Sequence, residues 1–206
     1  MLYDITPVVS PRLAIWPGDT SPERTVLADL AAGDSVTLST LRTTVHVGAH
    51  ADAPSHYGRT GRDIASQPLD YYLGRCQVVR ARAEPGVRVS FAQLEEPVTE
   101  ARVLIATGTY PDPDSWRADF SGLEPELIDR FASEGVRLVG VDTPSVDSFD
   151  SKTLPAHNRF LSYDMAILEG IVLDGVPSGR YELIALPLKL EGFDASPVRA
   201  VLRTLD

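Results

Sequence analysis

The sequence predicts a mixed α/β domain in which β-strands dominate, and three observations lead to that fold class. Most apolar segments are short and rich in β-branched residues, which is typical of strands. Few segments have apolar residues at helical spacing. The 16 prolines are spread among short segments as loop punctuation, and no repeat or low-complexity tract divides the chain. With 206 residues the chain can bury one sizeable core, so we expect a single domain over residues 1–206.

Six segments are predicted to be strands because each combines β-branched or other apolar residues with turn-forming neighbours. In chain order they are residues 36–45, 76–81, 101–107, 137–141, 181–190 and 198–203.

Helices are predicted at three places. Ser90-Phe-Ala-Gln93 fits a capping box that opens a short helix. Residues 123–133 carry apolar side chains at helical spacing, and Gly135 offers a stop. Residues 155–168 form the third predicted helix, with an apolar face that polar residues interrupt.

The composition disfavours several classes of partner. A net charge of -10 opposes nonspecific binding to nucleic acid, because a phosphate backbone requires clustered Lys and Arg. No apolar run approaches the roughly 20 residues of a membrane span, and the amino terminus lacks the features of a secretory signal. We therefore expect a cytoplasmic protein with no nucleic acid or membrane partner. Cys76 is the single cysteine and lies in a predicted strand, so we expect a structural thiol.

Three of the four histidines lie in one stretch of eleven residues, His46-Val-Gly-Ala-His50-Ala-Asp52-Ala-Pro-Ser-His56. Imidazole is the commonest protein metal ligand and the side chain best suited to proton transfer near neutral pH. The two imidazoles and the carboxylate of His46, His50 and Asp52 suit Zn²⁺, with Mn²⁺ and Fe²⁺ as competitors. The alternative is a polar loop whose histidines only form hydrogen bonds.

A helix is not predicted across this stretch, although His46 and His50 are four residues apart. Their neighbours are β-branched, Gly48 separates them, and Pro54 would break a helical continuation towards His56. In an extended chain the two α-carbons would be roughly 13 Å apart, which is too far for one ion. We therefore predict a strand that runs into a loop and bends at Gly48.

At these residues the chain resembles the cyclase family of metal-dependent hydrolases, whose signature is His-x-Gly-(Thr or Ala)-His-x-Asp-x-Pro-x-His. Every fixed position is matched, and Ala49, where many relatives carry threonine, is similar to the arylformamidase branch. The resemblance covers nearly the whole chain. Its further segments are Trp16-Pro-Gly-Asp19, Gly140-Val-Asp-Thr-Pro-Ser-Val-Asp147, His157, Leu168-Glu169-Gly170 and Gly192-Phe-Asp-Ala-Ser-Pro-Val-Arg199.

The resemblance implies a site for two metal ions. His46, His50 and Asp52 would hold one zinc ion, Asp52 and His157 would help to hold the second, and Glu169 would contact both. From the residues alone, His157 is more typical of polar surface and Glu169 of a solvated carboxylate, so both assignments come from the resemblance. We expect two Zn²⁺ per subunit, with Mn²⁺ as the other candidate.

The resemblance also implies the reaction, in which a metal-activated hydroxide hydrolyses N-formyl-L-kynurenine to L-kynurenine and formate in tryptophan degradation. His56 is the expected general acid/base, with a third-ligand or hydrogen-bonding role as its alternative. Trp16 is expected to contact the aryl ring of the substrate, with a core role as its alternative. Asp142 and Asp147 are expected to cap turns rather than bind metal.

The family fold implied by the resemblance is a swivelling β/β/α domain that is usually a homodimer. Two other functions remain open. One is a sister hydrolase that acts on another amide, a lactam or a cyclic imide such as an isatin-type ring. The other is a metal-binding module without catalysis, which is disfavoured because structural zinc sites are often cysteine-rich and Cys76 is remote. No arginine stands out for binding the carboxylate of the substrate.

Overall fold

The computed structural model describes residues 1–205. In that part of the chain there are eleven strands, numbered here in chain order. They are β1 (Leu2–Asp4), β2 (Glu23–Ala28), β3 (Leu38–Arg42), β4 (His50–Asp52), β5 (Leu73–Arg80), β6 (Arg102–Ala106), β7 (Leu138–Val141), β8 (Ala166–Glu169), β9 (Gly179–Ile184), β10 (Ala195–Pro197) and β11 (Val201–Thr204).

Nine of these strands form one mixed sheet in the order β1-β11-β9-β5-β6-β7-β8-β4-β10, and β2 pairs with β3 in a separate hairpin. The four central strands, β5 to β8, are parallel neighbours. Antiparallel strands extend the sheet on both sides. The carboxyl ends of the parallel strands therefore meet at one edge, where open α/β sheets commonly place their ligands.

Three α-helices accompany the sheet in the described part of the chain, and each begins with a proline in its first turn. The fixed φ of proline suits that position, where its missing N–H has no helical partner to lose. The helices are α1 (Pro54–Tyr57), α2 (Pro125–Ser133) and α3 (Pro155–Tyr163).

The core consists of two clusters of buried side chains on opposite faces of the central strands. On β6, Leu104 and Ala106 belong to one cluster, whereas Val103 and Ile105 belong to the other. This alternation is expected for a strand that is buried on both faces. The second cluster also contains Phe131 of α2 and Phe160 of α3, so these helices cover that face of the sheet.

The predicted strand-rich α/β class is confirmed, and each of the six predicted strands overlaps an observed one. Five strands were not predicted, namely β1, β2, β4, β8 and β10. All but β2 have only three or four residues, which is too short to show a clear period of two. The predicted capping box at Ser90 and Gln93 is present and opens a 3-10 turn.

The predicted helix over residues 155–168 is wrong in its second half. α3 ends at Tyr163, Asp164 adopts a left-handed conformation with φ 51°, and the chain then enters β8. Within β8, Ile167 packs towards the helices, whereas Leu168 packs into the other cluster. A strand that is buried on both faces is apolar throughout, so its sequence cannot be distinguished from a buried helical turn.

Cys76 lies on β5 and is fully buried, as the sequence predicted. Burial raises the pKa of its thiol to about 12, so the side chain acts as a small apolar group rather than a nucleophile. Within residues 1–205, no helix has the length and apolar character needed to cross a membrane.

Candidate metal centre

The pairing of β4 with β8 places an imidazole beside a carboxylate. His50 lies directly opposite Glu169 in this antiparallel pair, and Asp52 lies opposite Ile167 two residues further on. Residues i and i+2 of a strand point to the same face of the sheet. His50 and Asp52 therefore share a face near the carboxyl end of β8.

The loop before β4 positions His46. The chain bends at Gly48, which has φ 57°, in agreement with the predicted bend. The order of loop and strand differs from the prediction, because His46 lies in the loop and His50 in the strand that follows. Gly170, with φ 64°, packs against the same bend, and a Cβ added there would lie 2.3 Å from the Gly48 carbonyl oxygen. Only glycine permits both this conformation and this contact.

His56 lies on the short helix α1, which corrects the expectation that Pro54 would break a helix leading to it. Pro54 occupies the first turn of α1 and therefore begins the helix. The helix turns His56 back towards the loop, so that the ring centroids of His46 and His56 are 4.3 Å apart.

Asp52 is the centre of a buried cluster that contains all five residues assigned to metal binding. Its Oδ1 atom lies 3.1 Å from Nδ1 of His46 and 3.5 Å from Nε2 of His50. Its Oδ2 atom lies 3.5 Å from Nε2 of His157. Glu169 closes the cluster, with its carboxylate oxygens 3.3 Å from Nε2 of His50 and 3.7 Å from Nε2 of His157.

The hydrogen bonds of two imidazoles leave one ring nitrogen of each directed at these carboxylates. Nδ1–H of His50 donates to the Gly48 carbonyl at 2.9 Å, and Nδ1–H of His157 donates to Asp147 at 2.8 Å. In the neutral form of each ring, which metal binding requires, Nε2 carries the lone pair. An imidazole anchored through one nitrogen and open at the other is the arrangement that metal-ligating histidines use.

Several buried polar atoms of the cluster have no hydrogen-bond partner among the described residues. They are Nε2 of His50 and both carboxylate oxygens of Asp52. Buried polar atoms without partners are unfavourable, and a cation between them would satisfy all three. Ligand atoms also lie within 4.8 Å of one another in two groups, His46–Asp52–His56 and His50–Asp52–Glu169. Nitrogen and carboxylate donors of this kind fit Zn²⁺, Mn²⁺ or Fe²⁺.

The electrostatics of the cluster also favour a cation. Burial alone would lower the pKa of His157, but Asp147, Asp52 and Glu169 raise it to about 10. Burial likewise opposes the charge on His46, whose contacts with Asp52 and Asp194 raise its pKa to about 9. The pKa of Asp52 lies well below its usual value, because the nearby imidazoles outweigh its burial. The carboxylates thus hold positive charge in this site, which is what a divalent ion supplies.

His56 is placed differently from the other three histidines. Its side chain is 35% exposed, whereas those of His50 and His157 are 4% and 3% exposed. Its Nδ1 atom lies 3.4 Å from Oδ2 of Asp194, the same oxygen that accepts a 2.9 Å hydrogen bond from His46. His56 therefore contacts both solvent and the edge of the cluster.

Asp194 is a further residue of the site that the sequence alone did not identify. It precedes β10 and contacts both His46 and His56. The only sequence signal was its position in the segment 192–199 of the family resemblance.

Asp142 and Asp147 both act as acceptors for backbone N–H groups, as expected. Asp142 accepts from Thr107 and Gly108 in the loop after β6. Asp147 accepts from the first turn of α3 and also from the His157 ring, so it orients a candidate ligand as well as capping a helix. Arg88 donates to Asp147 at 2.9 Å.

A cavity of about 710 Å³ adjoins the cluster and is lined by all four histidines and by Trp16. The Trp16 ring lies 5.4 Å from that of Trp116 and 5.0 Å from that of Phe149, measured between centroids. Trp16 therefore packs against other aromatic rings and also faces the cavity. The size of the cavity is that of a site for a small organic molecule.

Comparisons with known proteins identify the relatives of this chain. Residues 3–148 match the family model Cyclase. A kynurenine formamidase of Maricaulis maris (strain MCS10) is 46% identical over 206 residues, which cover 99% of this chain and 98% of that protein.

Two solved structures have the same fold. One is described as a "Potential Metal-Dependent Hydrolase With Cyclase Activity", with 27% identity, a TM-score of 0.84, and coverage of 98% of this chain and 96% of that one. The other is described as a "predicted metal-dependent hydrolase from Bacillus stearothermophilus", with 28% identity, a TM-score of 0.81, and coverage of 98% and 97%.

The fold and the buried cluster of imidazoles and carboxylates define a metal-dependent hydrolase. The family match and the 46% identical relative, which extends over almost the whole chain, identify the family more specifically than the fold does. The chain belongs to the Cyclase family.

Proposed function

We propose that this chain hydrolyses N-formyl-L-kynurenine to L-kynurenine and formate, as the name of its Maricaulis relative suggests. The observation that carries the proposal is the cavity, which joins a buried imidazole–carboxylate cluster to an aromatic wall. An aryl formamide has the matching parts, since its carbonyl needs polarisation and its ring needs an apolar surface.

The five residues of the cluster would hold two divalent ions, for which we propose Zn²⁺, with Mn²⁺ as the alternative. They are His46, His50, Asp52, His157 and Glu169. When bound, such ions lower the pKa of a water molecule and polarise a carbonyl group. The protein would present these ions with imidazoles in fixed orientations. The rings of His50, His157 and His46 are hydrogen-bonded to Gly48, Asp147 and Asp194, respectively.

His56 would move the proton that the reaction requires. Its imidazole would take a proton from the attacking water and give it to the leaving aniline nitrogen as the C–N bond breaks. Asp194, 3.4 Å from Nδ1 of His56, would stabilise the imidazolium form between these two steps. The partial exposure of His56 leaves room for a substrate beside it.

Trp16 would hold the aryl ring of the substrate. Its contacts with Trp116 and Phe149 fix the indole plane before the substrate enters. Stacking of one aromatic ring on another contributes about 0.5–1.5 kcal/mol beyond burial. This is enough to favour an aromatic formamide over an aliphatic one.

The proposed function is tested by measuring formate release from N-formyl-L-kynurenine. We expect the zinc-loaded protein to release formate, a chelator to abolish the release, and added Zn²⁺ or Mn²⁺ to restore it. A protein that binds metal but releases no formate would contradict the proposal. Opening of the isatin ring in a parallel assay would then identify a sister hydrolase.

We also propose that the chain forms a homodimer through the β2–β3 hairpin. Both strands of this hairpin are exposed along nearly their whole length, and they pair only with each other. Their exposed apolar side chains include Leu27, Leu38 and Leu41, which are 61%, 53% and 64% exposed. An isolated hairpin is only marginally stable in water, and these leucines expose apolar surface on both of its faces. A second copy of the chain would cover these groups.

Replacing Leu27 and Leu41 together by aspartate should convert the dimer to a monomer, because the charges would be buried at the interface. The measurement is the molar mass by light scattering after size-exclusion chromatography. Leu188→Asp, at a position that is 56% exposed and outside the hairpin, serves as the control. The hairpin interface is refuted by a wild-type monomer or by a double variant that stays dimeric.

A further inference from the structure

The cavity beside the cluster has acidic walls and one arginine. Asp19, Asp142, Asp174 and Asp194 line it, and Arg80 is the only lysine or arginine among its described lining residues. Like charges repel and opposite charges attract strongly where water is partly excluded. Away from the imidazole–carboxylate cluster, Arg80 is therefore the place in this cavity that attracts a carboxylate.

Arg80 is exposed, and its guanidinium has hydrogen-bond donors to spare. One amino group donates to the Val176 carbonyl at 3.0 Å. Among residues 1–205, no carboxylate oxygen lies within 4.0 Å of a guanidinium nitrogen of Arg80, which is the limit for an ion pair. Arg88, by contrast, is paired with Asp147 at 2.9 Å. A guanidinium carries five N–H donors, so Arg80 can still bind a carboxylate through two parallel hydrogen bonds.

The distance between Arg80 and the cluster suits the length of the substrate. Arg80 ends β5 and Glu169 ends β8, with β6 and β7 between them. Neighbouring strands lie about 4.8 Å apart, so roughly 14 Å separates the two backbone positions. An extended arginine stem covers about half of that distance. The ketone, methylene and α-carbon that join the formanilide ring to its carboxylate can span the remainder.

We propose that Arg80 binds the α-carboxylate of N-formyl-L-kynurenine, an inference that rests on the proposed function. With the carboxylate on Arg80 and the ring against Trp16, the formamide group is directed towards the cluster around Asp52. Arg80 is then a specificity-determining residue, because it selects formanilides that carry an amino acid over those that do not.

The test compares two formanilides, one with and one without the side chain whose carboxylate Arg80 would bind. N-formyl-L-kynurenine has the amino acid end, and N-formylaniline lacks it. For Arg80→Met we expect KM for N-formyl-L-kynurenine to rise about 10- to 100-fold with little change in kcat. The kcat/KM for N-formylaniline should stay within about twofold of the wild-type value.

Three further variants sharpen the comparison. Arg80→Lys should give an intermediate KM, because it keeps the charge but loses the paired hydrogen bonds. Arg75 lies at an exposed position of the same strand and does not line the cavity, so Arg75→Met should leave the KM for both substrates unchanged. Trp16→Ala should raise KM for both substrates, since both have the aryl ring.

Equal losses of kcat/KM with both substrates would overturn the assignment and make Arg80 structural, and so would an unchanged KM. Calorimetric binding of L-kynurenine gives a readout that does not need turnover. Arg80→Met should weaken its affinity about 10-fold or more, and the affinity for 2-aminoacetophenone, which lacks the amino acid end, should not change. If the wild-type protein released no formate from either formanilide, the proposed function would fail, whereas the calorimetry would still decide the role of Arg80.

Discussion

Asp52→Asn should remove bound metal and lower the rate of formate release about 10³-fold or more. The Asp52 carboxylate contacts His46, His50 and His157, so its loss affects both proposed ion sites at once. Metal catalysis of this kind supplies several kcal/mol of transition-state stabilisation, and each 1.4 kcal/mol is about tenfold in rate. Metal content by mass spectrometry and kcat/KM for N-formyl-L-kynurenine are the two measurements.

The control for this variant is Asp150→Asn, at an exposed position away from the cluster, which should retain metal and activity. Circular dichroism of both variants separates loss of metal from loss of fold. Full metal content and normal turnover in folded Asp52→Asn would eliminate Asp52 as a ligand.

His56→Ala should lower kcat about 10²- to 10⁴-fold while the metal content stays at the wild-type level, because general acid–base catalysis contributes a factor of that size. The structure makes this separation testable, since His56 is the most exposed of the four histidines and its Nδ1 atom faces Asp194. Added imidazole should restore part of the activity, since it can occupy the space that the side chain leaves and carry the proton.

The competing role for His56 is that of a ligand, since it also forms a group with His46 and Asp52. Loss of metal from His56→Ala would support that role and contradict proton transfer. Comparison with His50→Ala sets the scale, because His50 is a proposed ligand whose removal should deplete the metal.

Much of the fold could be predicted from local sequence, whereas much of the site depends on contacts between distant segments. The buried strands β5 and β6, with eight and five residues, are long enough to show their β-branched composition. The short strands β4 and β8 exist because they pair with each other, and no local pattern identifies them. Only their pairing brings Glu169 to His50, so Glu169 could be predicted by resemblance but not from its own neighbours.

Asp194 and Arg80 show the same limit more clearly. Asp194 lies next to His46 only because β10 pairs with β4. Arg80 is the last residue of an otherwise buried strand, and nothing in its neighbours indicates that it lines a cavity. Their roles depend on the order of strands in the sheet, which a sequence pattern does not contain.

The two segments that form the cluster have a consequence for folding. Its proposed ligands come from residues 46–52 and 157–169, and a chain with one cysteine has no intramolecular disulfide to join such distant parts. An ion held between them would be a reversible cross-link that closes a loop of about a hundred residues and stabilises only the folded chain. Metal occupancy would then report that β4 and β8 have paired, so an incompletely folded chain would lack both the ions and the means to attack a substrate.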